Sequence, residues 1–388
     1  MPCQYHAPCR QLATGALLAW FQANRREMPW RDQPEPYAVW VSEIMLQQTQ
    51  VAAVRPYFTR FMQRFPTVQA LAQAPIEDVL KRWEGLGYYR RARLLHQAAQ
   101  QVVEMHGGRL PETAAELGRL PGIGPYTAAA IASICFGEAV PVVDGNVARV
   151  FARYRLLRDD FSKLPARQAL AKWLQPAFDG AAHSGDLNQA MMELGALVCR
   201  PRNPDCTACP LAAACSARAR GVQADYPARL ARRPVPVRPE VAIALRRGGR
   251  LLLARRDGTG LLGGLWELPG GGVVPGETAA EAAARLLRDI AGLEAGTLTA
   301  QGSITHAFSH FTQLLHLFAA DRIRGRVKIR AGGALAWVTA ADLDRLPLTT
   351  TTRRALDLQR DQPTRRRAQR RGASPRAVAA AKAHRARG

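Results

Sequence analysis

Four cysteines, Cys199, Cys206, Cys209 and Cys215, stand in the spacing C-x6-C-x2-C-x5-C directly after a helix-like stretch at residues 184–198. Thiolates are the ligands an iron–sulfur cubane requires, and four of them in one short segment let a single loop wrap it. Zinc is the rival. Structural zinc loops usually present two C-x2-C pairs or a Cys/His mixture, and this spacing holds one such pair. Disulfide bonding fits poorly with a sequence that shows no secretory signal.

At 388 residues two ordinary domains are expected, and no apolar run is long enough to cross a membrane. The expectation is a soluble, cytoplasmic protein, nucleoid-associated if bacterial, without a membrane partner. A net charge of +23 comes mostly from arginine, the side chain best suited to phosphate, so nucleic acid is the leading partner. A merely basic surface, or a charge balance skewed by a tail, is the alternative. Cys3 and Cys9 flank His6 in an N-terminus without periodicity, which reads as a metal site or as a disordered tip.

Helical periods follow one another from Leu12 to about Leu211, so residues 10–220 are expected to form an all-α domain. Thr113-Ala-Ala-Glu116 has the capping-box form, Gly107-Gly108 ends the helix before it, and Gly85 and Gly87 break another. Residues 221–239, rich in Arg and Pro, read as a linker of polyproline character. Beyond it, residues 241–245, 251–255 and 314–319 read as strands around a helix at 278–290, giving a smaller α+β domain over 240–358. Residues 359–388 lack an apolar period and hold no acidic residue from Thr364 onward. A disordered basic tail is expected there, attractive to a polyanion.

Within the helical domain, Leu120-Pro-Gly-Ile-Gly-Pro-Tyr126 lies between two helical stretches. Gly122 and Gly124 allow a tight turn whose following N–H groups face a phosphate, the pattern of a helix-hairpin-helix and equally of a glycine-capped helix end. Further on, Val142-Val-Asp144-Gly-Asn146 places an aspartate at a predicted helix N-terminus. There the helix dipole and backbone amides would keep it ionised, although an aspartate in that position is often only a cap.

Hairpin, aspartate and cysteine loop, in this order, resemble the helix-hairpin-helix DNA glycosylase superfamily, in the branch that carries a 4Fe–4S cluster. Three further segments extend the resemblance to the MutY family of adenine DNA glycosylases: Met28-Pro-Trp-Arg31, Trp40-Val-Ser-Glu43-Ile-Met-Leu-Gln-Gln-Thr49 and Gly85-Leu-Gly-Tyr-Tyr-Arg-Arg-Ala-Arg93. It is dense over residues 11–221 and looser beyond. The endonuclease III-like branch carries a lysine where this chain has Tyr126, and a tyrosine forms no Schiff base. The resemblance therefore implies hydrolysis of the glycosidic bond, an abasic product and no strong β-elimination.

Two carboxylates suit that chemistry. Adenine leaves poorly until a ring nitrogen is protonated, and the sugar left behind develops oxocarbenium character. Glu43 falls in an apolar helix predicted over 38–49, where partial burial would raise its pKa, although a solvated charge on a helix face is the plain alternative. By resemblance Glu43 protonates N7, and Asp144 supplies the anion, electrostatically or through a sugar adduct. Asn146 and Tyr126 match positions that orient Asp144 and line the pocket. A base inside a duplex must be extruded, and Gln48 and Tyr88 match the residues that fill the gap, with Tyr89 left to pack between helices. Arg31 resembles a contact to the flipped adenine, as does Gln189, where the family can carry glutamate.

In the second domain, Gly271-x5-Glu277-x7-Arg285 followed by Gly292-Leu293 keeps the frame of a Nudix box. Leu286 and Asp289-Ile290 replace its metal-binding carboxylates, so phosphoanhydride hydrolysis with magnesium is not expected. Phe308, Ser309 and His310 match the loop that reads 8-oxoguanine; without that context they would read as a polar hairpin. The function expected is that of a monofunctional glycosylase acting, as a monomer, on double-stranded DNA with A:8-oxoguanine or A:G mispairs, with repair partners at the linker. Its competitors are a Nudix nucleotide hydrolase with an added DNA-binding domain, against which the missing carboxylates argue, and a noncatalytic redox or architectural DNA-binding protein, against which Glu43 and Asp144 argue.

Overall fold

The computed structural model describes residues 12–31, 34–228, 234–258, 260–325, 327 and 334–361. The group Cys3, His6 and Cys9, linker residues 229–233 and the tail beyond 361 lie outside the described residues. The chain divides into two compact units, Met1–Pro234 and Val235–Gly388. Among the described residues no helix is long and apolar enough to cross a membrane.

The first unit is helical throughout its described residues: α1 (Thr14–Asn24), α2 (Pro36–Leu46), α3 (Val51–Arg64), α4 (Val68–Gln73), α5 (Ile76–Trp83), α6 (Arg90–His106), α7 (Ala114–Leu117), α8 (Pro125–Phe136), α9 (Gly145–Arg155), α10 (Leu164–Leu174), α11 (Ser184–Leu197) and α12 (Ser216–Arg220). Local chemistry sets their limits. Proline occupies the first turn of α2, α8 and α10, where its missing N–H costs nothing. Gly107, in the left-handed conformation, closes α6. Helix α2 ends at Leu46, three residues before the sequence suggests, because Gln48 adopts φ 58°, which an α-helix cannot accommodate. Trp40, Trp83, Phe21, Phe61, Phe65 and Phe151 are fully buried between these helices.

The second unit is a seven-stranded sheet with helices on both faces. Its elements are β1 (Val237–Arg247), β2 (Arg250–Arg255), β3 (Trp266–Glu267), β4 (Gly270–Gly272), α13 (Ala279–Ala291), β5 (Thr297–Ala307), β6 (Thr312–Asp321), β7 (Ala334–Val338), α14 (Ala340–Arg345) and α15 (Thr350–Asp361). The strand path is β3-β2-β1-β6-β5, with β4 on β1, β7 on β2, and β1 parallel to β6. Alternate residues of β1 serve two cores: Val241, Ile243 and Leu245 pack with Ala282 and Leu287 of α13, Ala242 and Ala244 with Leu343, Ala355 and Leu356. Burial on both faces explains the unbroken apolar run of this strand. The helix at 278–290 starts on a full capping box, Thr278 with Glu281.

Candidate active site and cysteine loop

A cavity of about 790 Å³ opens in the helical unit, a volume suited to a small ligand or an extruded nucleoside. Glu43 reaches it from α2, Tyr126 from the first turn of α8, Asp144 and Asn146 from the start of α9, and Gln189, Met192 and Glu193 from α11. Gly195 is what lets α11 approach α9, since a Cβ there would stand 2.6 Å from Cβ of Asn146.

Glu43 is 6% exposed, on a helix buried without a break from Val39 to Met45. Burial pushes its carboxyl from 4.5 up to about 7; the Tyr126 hydroxyl, donating to Oε2 at 2.9 Å, opposes the rise, and neighbouring Asp144 adds to it. Asp144 caps α9, accepting the Val147 amide on Oδ1 at 2.7 Å and Asn146 Nδ2 on Oδ2 at 2.9 Å. From the sequence, the helix dipole and backbone amides are expected to keep Asp144 ionised, and the Val147 and Asn146 hydrogen bonds do favour its charged form. Burial outweighs the Val147 amide, Asn146 and Arg149, and its pKa is raised. Of the two carboxyls Asp144 is still the better anion, because N–H donors engage both its oxygens while Glu43 receives one hydroxyl.

Tyr126 lines the same cavity as Asp144, and its hydroxyl is turned to Glu43. Its hydroxyl donates to Glu43 and stands 3.4 Å from the sulfur of Met192. Asn146 does clamp Asp144, and Arg149 in turn donates to Asn146 Oδ1 at 2.8 Å and to the Cys199 carbonyl at 2.9 Å. One arginine thus touches both the clamp and the cysteine loop.

Arg31 lines the cavity, with its guanidinium held by Glu193 Oε2 and the Arg26 carbonyl, each at 3.1 Å. Glu193 is the residue that sequence reasoning missed. It is 1% exposed and accepts Arg26 Nε at 2.7 Å and Nη2 at 2.9 Å as well as Arg31. Burial alone would raise its carboxyl, but the two arginines overcome this and hold it down at about 2. The signal was a lone charge inside the apolar run of α11, as for Glu43 in α2. Gln189 lines the same cavity.

Gln48 and Tyr88 do not line it. They sit on two loops, after α2 and before α6, both exposed and both left-handed, at φ 58° and 50°. Tyr89 is 3% exposed and packs inside. In the hairpin, Gly122 adopts φ +78° and has room only for a hydrogen, since a Cβ would meet that of Leu94 at 2.6 Å. Gly124 caps α8 with open space beside it, leaving the amide end of the helix accessible to an anion.

Cys199, Cys206, Cys209 and Cys215 line one small cavity of about 20 Å³, and none is in a disulfide. Arg153, 2% exposed, donates to Cys199 Sγ at 3.4 Å and to the carbonyls of Arg200, Pro201, Gln223 and Tyr226, fastening this loop to α9. Gln223 Nε2 lies 3.6 Å from Cys206 Sγ. Burial pushes the Cys209 thiol up to about 11, and the other three cysteines add to the rise. Among the described residues no group of three or more His, Cys, Asp or Glu side chains is arranged to hold a metal ion. The donor set itself, four thiols around one cavity with N–H groups aimed at sulfur, has the chemistry of an iron–sulfur site.

In the second unit, Phe308, Ser309 and His310 form the tip between β5 and β6. The Phe308 amide bonds the Phe311 carbonyl at 2.8 Å, the two rings stack at 4.5 Å, and Ser309 and His310 are exposed. Arg238 lies over the Phe311 ring. Glu277 and Arg285 of the Nudix frame pair at 2.5 Å, while Leu286 packs into the core beneath α13.

Residues 41–176 match the HhH-GPD superfamily of base excision DNA repair proteins, and residues 240–358 match the Nudix domain. The fold is that of a helix-hairpin-helix base excision repair protein joined to a Nudix-like domain. The human adenine DNA glycosylase is 40% identical over 76% of this chain, which spans 64% of that relative's length. The mouse adenine DNA glycosylase is 35% identical over 89% of this chain and 77% of its own, and the Arabidopsis thaliana one 34% identical over 87% and 62%. The chain belongs to the adenine DNA glycosylase family.

Proposed function

We propose that the protein flips adenine out of A:8-oxoguanine and A:G mispairs in double-stranded DNA and hydrolyses its glycosidic bond, leaving an abasic site. The observation that carries this reading is Glu43, buried, titrating near 7 and bonded to Tyr126, in one cavity with Asp144. At neutral pH such a carboxyl still holds a proton for N7 of adenine. The bonding pair then leaves with the purine, and Asp144 faces the positive charge that develops on the sugar, as an ion or through a covalent adduct. Water adds to the sugar carbon, and Glu43, now ionised, takes its proton. Asn146 orients Asp144, and Tyr126 holds Glu43. With tyrosine in place of a Schiff-base lysine, strand cleavage requires added alkali.

Gln48 and Tyr88 fill the gap left by the extruded base, Gly122 and Gly124 present amides to the backbone, and Arg31 and Gln189 contact adenine. The tip of Phe308, Ser309 and His310, the last two exposed, suits recognition of 8-oxoguanine: Ser309 accepts from its N7–H, and Phe308 wedges beside it. Cys199, Cys206, Cys209 and Cys215 would hold a 4Fe–4S cluster, which supplies a structural brace for the basic loop around Arg200 and Arg202. The protein works as a cytoplasmic monomer, with repair partners at the linker. The test is single-turnover reaction on an A:8-oxoguanine duplex, read with and without alkali. Strand breaks that need alkali support the reading; an intact duplex in both would remove it.

A further inference from the structure

We propose that Arg91 is the positioning residue that joins the two wedge loops, so that Gln48 and Tyr88 enter the base stack as one unit. The inference rests on the reading of those two side chains as the wedge. From the first turn of α6, Arg91 Nη1 donates to the carbonyls of Ile44 at 2.8 Å, Met45 at 3.0 Å and Gln47 at 2.5 Å. Nη2 donates to Thr49 Oγ1 at 3.3 Å and to the Gly87 carbonyl at 3.2 Å. Three of these acceptors belong to the C-terminal end of α2, where carbonyls lack helical partners, so the guanidinium caps the helix that carries Glu43. Gln47 and Thr49 flank Gln48, and Gly87 precedes Tyr88, whose ring centre lies 5.2 Å from the same guanidinium.

Both wedge residues adopt the left-handed backbone, which is strained for a side-chain-bearing residue and persists where the surroundings impose it. Arg91 is hydrogen-bonded on both loops beside these two residues. Keeping it there is costly: burial pushes the guanidinium down to about 10. The two terminal nitrogens of the planar guanidinium span these acceptors, with buried Nε left without a partner, and a lysine ammonium does not span them. Displacement of either wedge therefore moves the end of α2, next to Glu43.

The test uses cluster-loaded full-length Arg91→Lys, and Arg91→Gln as a second variant should the first misfold. Chromophore and melting curve report integrity. On an A:8-oxoguanine pair in otherwise matched duplex, single-turnover excision should fall by about tenfold or more. With the same pair flanked by mismatches, the adenine is already loosened and the fall should be under about threefold. Fluorescence of 2-aminopurine at the target position should show the same loss of extrusion. Equal losses on the two duplexes, or none on either, overturn the proposal. Tyr88→Ala is run in parallel. If it discriminates between the duplexes and Arg91→Lys does not, the wedge stands and the role of Arg91 falls; if Tyr88→Ala does not discriminate, both fall.

Discussion

The Tyr126 hydroxyl donates to Oε2 of Glu43 at 2.9 Å, joining two residues 83 positions apart. That bond acts against burial. It stabilises the ionised form of a carboxyl that the apolar helix would otherwise keep protonated to higher pH. In the proposed reaction one group must both give and recover a proton, and a pKa near neutrality serves both tasks.

The buried carboxyl should cost stability. Its folded pKa of about 7 lies above the ordinary 4.5, so the folded state binds more protons than the unfolded one between these values, and stability is lost as pH rises through that window. Glu43→Gln removes the loss. At pH 8 the variant should be more stable than the parent by up to about 3 kcal/mol, the gain shrinking towards pH 4.5, while adenine excision is abolished. Paired denaturant melts at pH 5 and 8 measure this.

Glu193 has the opposite sign. Its carboxyl is held at about 2, so its contribution is fully present above its ordinary 4.5 and lost as pH falls towards 2. Glu193→Gln leaves Arg26 and Arg31 without their charged partner and should cost roughly 3 kcal/mol at neutral pH. Its acid limb should flatten. Melts between pH 3 and 7 show whether the gap closes at low pH.

Much of the site was legible because chemistry-bearing residues interrupt otherwise apolar helices. Glu43 stood out in this way and Asp144 as an aspartate at a helix start, with the family motifs around them. Glu193 gave the same local signal, but its meaning needed Arg26 and Arg31, 167 and 162 residues away. The partner of Tyr126 and the raised pKa of Asp144 depend on how closely α2, α8 and α9 pack, which spacing along the chain does not encode. In the second unit β1, β2, β6 and α13 were readable as apolar runs and a capped helix. Strand β5 was not, since nearly all its side chains are exposed or half-exposed and a register shift interrupts it at Gly302.

Cys206→Ser should lose the brown iron–sulfur chromophore and weaken DNA binding. The loop that a cluster on these cysteines would brace carries Arg200 and Arg202, and Arg153 ties that loop to α9. Iron content and duplex affinity, measured together, check this. Full iron content in the variant would refute the ligand assignment.

Replacing Phe308 and Ser309 together by Ala should shrink the preference for 8-oxoguanine over guanine, read as the ratio of excision rates at subsaturating enzyme. Ser309→Ala alone removes one acceptor, worth about 1 kcal/mol, or roughly fivefold in that ratio at most. Excision opposite guanine should change little in either variant. An unchanged ratio in the double variant would place lesion recognition elsewhere.

The pH dependence of single-turnover adenine excision tests the central assignment most directly. If protonated Glu43 is the acid, the rate constant should fall about tenfold per unit above pH 7. Tyr126→Phe removes the hydroxyl that favours the carboxylate, so its alkaline limb should move up by about one unit. A profile flat to pH 9, or a limb unmoved in Tyr126→Phe while Glu43→Gln still excises adenine, would contradict the assignment of Glu43 as the proton donor.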